Sequence, residues 1–238
     1  MALRNVILEI GTEEIPSRFL PAALESLKKL ALDALSANRL GFKDVQTYAT
    51  PRRLVLSVRD LDETQSASVS LLKGPPLASA YDSKGEPTRA ALGFAKSKGV
   101  AVEALGEMVV DGVRYVAAEV REESRRTLDV LPDLLRGLVE GLAFPKSMYW
   151  ADPSVRFARP IRWILALADD AVIPFEYGDV RSGRTTSGHR FMGQKAVEIR
   201  NAEEFMERLY DNSVILDQDK RRQKLEASIS LLKQNFEG

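Results

Sequence analysis

Thirteen consecutive residues, Arg181-Ser182-Gly183-Arg184-Thr185-Thr186-Ser187-Gly188-His189-Arg190-Phe191-Met192-Gly193, hold three glycines, three arginines, four hydroxyls and the only histidine of a 238-residue chain. Nothing in the stretch alternates apolar with polar or repeats at helical spacing. It cannot fill a core, so it reads as a surface loop with a strand edge. Its residue types suit anion binding: glycines let the backbone approach a phosphate, while arginine forks and hydroxyls supply donors. A solvated glycine-rich connection is the plainer reading of the same residues. It is not a P-loop, because no Gly-Lys-Ser/Thr follows at the required spacing. His189 has two candidate tasks, donating to a phosphate when protonated or bracing the loop.

Other basic or acidic clusters punctuate the chain. Thr50-Pro51-Arg52-Arg53 leads into an apolar run, and on a strand Arg52 and Arg53 point to opposite faces, so one of them at most joins a surface site. Arg156, Arg159 and Arg162 alternate with Trp150 and Trp163, a mixture that suits base stacking and phosphate contact, or equally a core edge covered by arginine stems. Trp163 opens the apolar run Ile164 to Ala168, which draws it toward the core. Glu13-Glu14 resembles a catalytic carboxylate pair, but adjacent side chains rarely face one substrate and acids are common at helix starts. No nucleophile–base pair, metal constellation or nucleotide loop is legible, so the sequence assigns no catalytic residue, metal ligand or cofactor to this chain.

The elements that must position these residues are mixed. Leu3 to Ile10 reads as a buried strand, followed by a helix capped by Thr12 or Ser17 with Pro21 in its first turn and Leu24, Leu27, Ala31 and Leu35 on its apolar side. Val45–Tyr48 and Leu54–Val58 read as strands. Residues 61–85 read as a linker, with one edge strand through Val69 to Leu72. A helix through Ala90 and Phe94 stops at Gly99, and Asp111-Gly112 marks a hairpin. Ser124 is expected to cap a long helix through Leu128 to Leu142. Ala171 to Tyr177 should return from Ile164–Ala168 as a hairpin, Lys195–Ile199 and Val214-Ile215 read as short strands, and Asn201-Ala202-Glu203-Glu204 as a capping-box analogue. Asp217 caps a last charged helix with Leu225, Ile229 and Leu232 on one face, stopping at Gly238. The expected fold class is α+β with mixed or antiparallel sheets and packed helices. Its divisions are a strand-helix-strand unit over 1–60, the linker over 61–85, a central region over 86–200 and a helical segment over 201–238.

Lysine plus arginine balances aspartate plus glutamate at 34 each, so nucleic-acid binding would have to come from a local patch. The absence of cysteine removes disulfides, thiolate catalysis and cysteine-ligated zinc. The N-terminus lacks the pattern of a signal peptide and no apolar run reaches membrane-spanning length, which leads to the expectation of a cytoplasmic protein without membrane contact.

Five segments in order, Leu8-Glu9-Ile10-Gly11-Thr12-Glu13-Glu14-Ile15-Pro16, Thr50-Pro51-Arg52-Arg53-Leu54, Lys73-Gly74-Pro75, Phe157-Ala158-Arg159-Pro160-Ile161-Arg162-Trp163 and Ser182-Gly183-Arg184-Thr185-Thr186-Ser187-Gly188-His189-Arg190-Phe191, resemble the N-terminal part of the beta subunit of bacterial heterotetrameric glycyl-tRNA synthetase. Each is weak alone; together they are specific. One departure is that the chain carries Ile161-Arg162-Trp163 where the family pattern has valine-histidine-tryptophan. The resemblance implies a fold similar to the editing-type domain of phenylalanyl-tRNA synthetase beta chains, with no editing site carried over. It implies that ATP (with Mg) and glycine bind the alpha subunit, that the partners are the alpha subunit, tRNA(Gly) and the missing C-terminal part of beta, and that this chain is a noncatalytic tRNA-binding and assembly module. Arg52, Arg53, Arg159, Arg162, Arg181, Arg184, His189 and Arg190 are then its candidate RNA contacts. The alternative is a scaffold that docks the alpha subunit or the rest of beta without touching RNA. A hydrolytic editing domain using Glu13, Glu14 or Asp residues around a bound water stands as a third reading.

Overall fold

The structure, a computed structural model, describes residues 3–150 and 152–236. The chain forms two compact units, Met1–Gln65 with Arg125–Gly238, and Ser66–Ser124. These divisions differ from those expected at 60, 85 and 200, because the chain leaves the first unit and returns to it.

The first unit opens with β1 (Leu3–Thr12), in which Val6, Ile7, Leu8 and Ile10 are all buried. A strand covered on both faces carries a continuous apolar run, as this one does. After a 3-10 turn at Ser17–Phe19, α1 (Leu20–Ala37) buries Ala23, Leu27, Ala31 and Leu35, with Pro21 in its first turn. The cap expected from Thr12 or Ser17 is not made. Thr12 lies inside β1, its N–H donating to the Arg52 carbonyl, and no side chain caps α1. β2 (Asp44–Thr50) and β3 (Arg53–Asp62) then pair antiparallel.

The second unit comprises β4 (Ser68–Pro76), α2 (Leu77–Ala80), α3 (Arg89–Lys98), β5 (Gly106–Val110) and β6 (Val113–Glu122). Its sheet runs β4-β6-β5, and the Asp111-Gly112 turn has φ values of 51° and 78°, the left-handed pair of a two-residue hairpin. Ala80, Ala91 and Val116 form its small core. The stretch read as a linker is therefore largely ordered, since β4 pairs with β6 from Ser68 to Pro76. Its strand character comes from ladder bonds rather than an inward apolar face: Val69 and Leu71 are exposed.

Back in the first unit, α4 (Thr127–Gly141) buries Val130, Leu131, Leu134, Leu135, Leu138 and Val139. Ser124 is not its cap. The helix begins after Arg126, and the Thr127 hydroxyl donates to the carbonyl of Asp62. β7 (Met148–Trp150) and β8 (Asp152–Phe157) form a small ribbon, and β9 (Ile161–Ala168) enters the main sheet. The expected return strand is split into β10 (Ala171–Val172) and β11 (Glu176–Tyr177), with Pro174, which has no N–H to give a ladder, between them. β12 (Val180–Gly183) follows, then a ribbon of β13 (Thr185–Thr186) and β14 (Val197–Glu198). α5 (Phe205–Asp211) and α6 (Gln218–Phe236) complete the chain. Glu204 N–H bonds Asn201 Oδ1 at 3.0 Å and Arg200 N–H bonds Glu204 Oε1 at 2.6 Å, a capping box displaced by one residue. Asp217 caps α6 through Asp219 and Lys220. Val214-Ile215 forms no strand, and the expected terminus of α6 at Gly238 lies outside the described residues.

The main sheet has seven strands in the order β11-β12-β9-β1-β3-β2, with β10 beside β9. β12 runs parallel to β9 and the other ladders are antiparallel, so the α+β class holds. One face of the sheet (Leu8, Ile10, Leu54, Leu56, Ile164) packs on α1 and α4. The other (Ile7, Val55, Leu165, Leu167) packs on Val197, Ile199, Phe205, Leu209 and Leu216. No helix among the described residues is long and apolar enough to cross a membrane.

Candidate functional site

The basic and acidic segments of the sequence meet at one end of this sheet. Gly11, near the end of β1, pairs with Arg53 on one side and Trp163 on the other. The segment leaving β1 is fixed by backbone bonds: Thr12 and Ile15 donate to the carbonyls of Arg52 and Pro51 at 2.8 and 2.7 Å, and Glu13 donates to Pro160 at 3.1 Å. The Trp163 indole occupies the space that a side chain at position 11 would need. Glycine is required there by this close approach.

Arg53 and Glu9 share the second face of the sheet. Arg53 Nη1 lies 2.8 Å from Glu9 Oε1, with side-chain exposures of 3% and 0%. Arg53 Nη2 donates to the Ser187 carbonyl at 2.7 Å, and Nη1 reaches Thr186 Oγ1 at 3.4 Å. These bonds leave the Arg53 guanidinium little to offer a ligand, although the residue lines the first cleft described below. Its charge is spent inside the protein, where it ties the start of β3 to the glycine-arginine loop.

That loop is braced from several sides. Gly188 N–H bonds Gln194 O at 2.8 Å, His189 N–H bonds Asn212 O at 2.9 Å, and Gly193 N–H bonds His189 O at 2.9 Å. His189 Nδ1 accepts from the N–H groups of both Phe191 and Met192 at 3.3 Å, so the histidine holds the loop tip. Arg184 donates to Arg200 O at 3.2 Å and Asp170 O at 3.0 Å, and so serves the loop's base rather than a ligand. Arg181 pairs with Glu176 across β11 and β12, away from the loop tip.

Three clefts border this end of the sheet. The first, about 430 Å³, is lined by Pro51, Arg52, Arg190, Phe191, Ile215 and Arg221 among others. The second, about 420 Å³, shares Arg52, His189 and Arg190 and adds Arg162, Trp163 and Lys195. The third, about 630 Å³, holds Arg18, Lys146 and Arg159 and meets the second at Glu13. The structure thus brings Arg52, Arg162, His189 and Arg190 together, sets Arg159 next to them, places Arg53 in the wall of the first cleft with its guanidinium bonded to Glu9 and Ser187, and leaves Arg181 and Arg184 out of the three clefts.

Charge is partly neutralised. Glu13 pairs with Arg162 and Glu14 with Arg190, each at 3.4 Å, so the two adjacent acids diverge toward different arginines. Arg52 has no acid partner among the described residues. Its guanidinium lies 5.9 Å from the Trp163 ring and its Nε is buried without a hydrogen bond. Arg221 donates to the carbonyls of Ile215, Leu216 and Ala49. Burial lowers its pKa, opposed by Asp217. No group of three His, Cys, Asp or Glu residues that could hold a metal occurs among the described residues.

Sequence reasoning missed Arg18, Lys146, Lys195 and Arg221 as neighbours of the site, because single cations on separate segments carry no local pattern. It also passed over Phe191 and Met192, which are 84% and 68% exposed. An apolar pair inside a glycine-bounded polar loop was the available signal.

The family described as "Glycyl-tRNA synthetase beta subunit" matches residues 6–238. The chain is 44% identical over 220 residues to the glycine–tRNA ligase beta subunit of Desulforamulus reducens and 46% identical over 220 to that of Moorella thermoacetica, covering 92% of this chain and 32% of each relative. Over 235 residues it is 39% identical to the beta subunit of Citrifermentans bemidjiense, covering 99% of this chain and 34% of that protein. The chain therefore spans about a third of the length of the curated relatives it matches, aligned along nearly all of its own. With the family model matched over residues 6–238 and relatives 39–46% identical along nearly the whole of it, the chain belongs to the glycyl-tRNA synthetase beta subunit family.

Proposed function

We propose that this chain is a noncatalytic tRNA-binding and assembly module of a glycyl-tRNA synthetase, supporting attachment of glycine to tRNA(Gly) in the cytoplasm. The observation that carries the reading is the convergence of Arg52, Arg162, His189, Arg190 and Lys195 on adjoining clefts at one end of the sheet. Cations from separate segments, fixed by buried bonds beneath them, suit a phosphate backbone, whose contacts position rather than specify. In this reading ATP with Mg and glycine belong to the alpha subunit, and the partners are that subunit, tRNA(Gly) and the remainder of beta. An α+β likeness to the editing-type domain of phenylalanyl-tRNA synthetase beta chains is part of the proposal, without its chemistry. Glu13 and Glu14 are each engaged by an arginine and do not converge on one water site, which speaks against hydrolysis.

The test is tRNA binding by this chain at low and moderate salt, beside an Arg52→Ala/Arg190→Ala variant. Saturable binding that weakens with salt and falls in the variant supports the reading; no binding at low salt removes it. One observation favours a scaffold instead: Leu225, Ile229, Leu231 and Leu232 on α6 are exposed. Exposed apolar groups of this kind suit docking to protein. If RNA does not bind but the alpha subunit or the rest of beta does, the scaffold reading replaces the first.

A further inference from the structure

Among the described residues Phe191 is the most exposed large apolar side chain, and it is not on a loose loop. Its own N–H is bonded to His189 Nδ1, and the turn carrying it is closed by the Gly193-to-His189 bond and tied to Asn212. An unbraced loop would lower its free energy by laying the ring onto nearby apolar surface, and such surface is adjacent: Pro51, Val214 and Ile215 line the same cleft. The braces hold the ring out beside that surface, leaving a gap of about 430 Å³ with apolar walls and cationic rims.

The cations divide by task. Arg221 is committed to three backbone carbonyls and builds the floor. Arg190 sits 5.7 Å from the Phe191 ring centroid and is paired with Glu14 at 3.4 Å, an exposed pair that a phosphate can replace. Arg52, which has no acid partner among the described residues, brings its charge to both this cleft and its neighbour. An aromatic face next to two guanidinium groups, over an apolar concavity, matches an unpaired nucleotide: the base stacks and the flanking phosphates meet the arginines. A duplex offers the phosphates but keeps its bases stacked on each other.

We infer that the cleft between the Pro51-Arg52 turn and Phe191 receives one unpaired nucleotide of RNA, with its base on the Phe191 ring and its phosphates at Arg52 and Arg190. This rests on the RNA-binding reading above. It adds that the site reads single-stranded RNA.

The experiment compares short single-stranded RNA with a blunt-ended, loop-free RNA duplex of equal phosphate number, by fluorescence anisotropy, for the chain, Phe191→Ala and Phe191→Trp. Circular dichroism confirms that each variant is folded, which the exposure of Phe191 leads one to expect. The expected result is preference for the single strand, about tenfold weaker binding in Phe191→Ala with an unchanged salt slope, and recovery in Phe191→Trp with tryptophan emission quenched by RNA. Equal binding of duplex and single strand, or an unaffected Phe191→Ala, overturns the stacking site while leaving RNA binding intact. If the unaltered chain binds neither RNA, the reading on which the inference rests has failed, and the inference with it.

Discussion

Arg53 donates to the backbone carbonyl of Ser187 across 2.7 Å while Glu9 holds the same guanidinium at 2.8 Å. The link joins the centre of the main sheet to the glycine-arginine loop. Glu9→Gln removes the compensating charge and leaves a guanidinium buried, which should cost about 3–5 kcal/mol. Urea denaturation reads this directly, and a loss under 1 kcal/mol would contradict a dry pair. Replacing both partners, Glu9→Leu with Arg53→Leu, should recover much of the stability. Amide exchange around Ser187 should nevertheless stay fast in the double variant, because no side chain then reaches that carbonyl.

A methyl group at position 11 has nowhere to go. Gly11→Ala sets its Cβ into the Trp163 indole, and the ring, lying near the guanidinium groups of both Arg52 and Arg53, must shift to admit it. Overpacking of this kind costs about 1–3 kcal/mol. A lowered midpoint of unfolding together with a changed tryptophan emission spectrum is expected. Wild-type stability with an unmoved spectrum would mean that the indole does not rest over Gly11.

Much of the architecture was legible because β1, α1, α3 and α4 carry strong periodicity or continuous apolar runs. The caps proposed at Thr12, Ser17 and Ser124 failed because longer-range backbone bonds fixed those helix starts. Thr127, for example, donates its backbone N–H to the Glu63 carbonyl at 2.8 Å, from far along the chain. At the site, strand alternation does not separate Arg52 from Arg53: β3 begins at Arg53 and Arg52 lies in the turn before it, and it is the Glu9 and Ser187 bonds that bury the Arg53 guanidinium while Arg52 stays half-buried along two clefts. What no local pattern could supply was pairing. Glu9 reads as an interruption in a strand until Arg53 is placed beside it, and Arg184 resembles Arg190 until its carbonyl partners are known.

The second layer supports the loop through charge that titrates. The Arg200 side chain donates to Glu204 Oε2 at 2.8 Å, and the Arg200 carbonyl receives Arg184. The side-chain bond from Arg200, helped by its backbone N–H, lowers the Glu204 pKa below its ordinary value of 4.5. A depressed carboxyl contributes stability that is present above the unfolded value and lost as pH falls through the folded one. Stability should therefore decline below about pH 4.5, and Arg200→Ala should flatten the part of that decline due to Glu204. Identical acid limbs in urea titrations of the two proteins would show that this pair contributes nothing to the pH dependence.

Arg184 and Arg52 should separate in a salt titration, although both are arginines at the same sheet end. Arg184 is held by two backbone carbonyls at the loop's base, so Arg184→Ala leaves those acceptors without a donor and should cost about 1 kcal/mol of stability. Any loss of tRNA binding would then come from a looser loop, with the dependence of log K on log salt unchanged. Arg52 has no acid partner among the described residues and lines two clefts, so Arg52→Ala should leave stability nearly unchanged and reduce the salt slope by about 1. The contrast follows from partners, not residue type: a guanidinium already donating to protein carbonyls has less to offer a phosphate. If Arg184→Ala lowers the slope and Arg52→Ala does not, the phosphate contact lies on the loop's base and the division of labour drawn here is reversed.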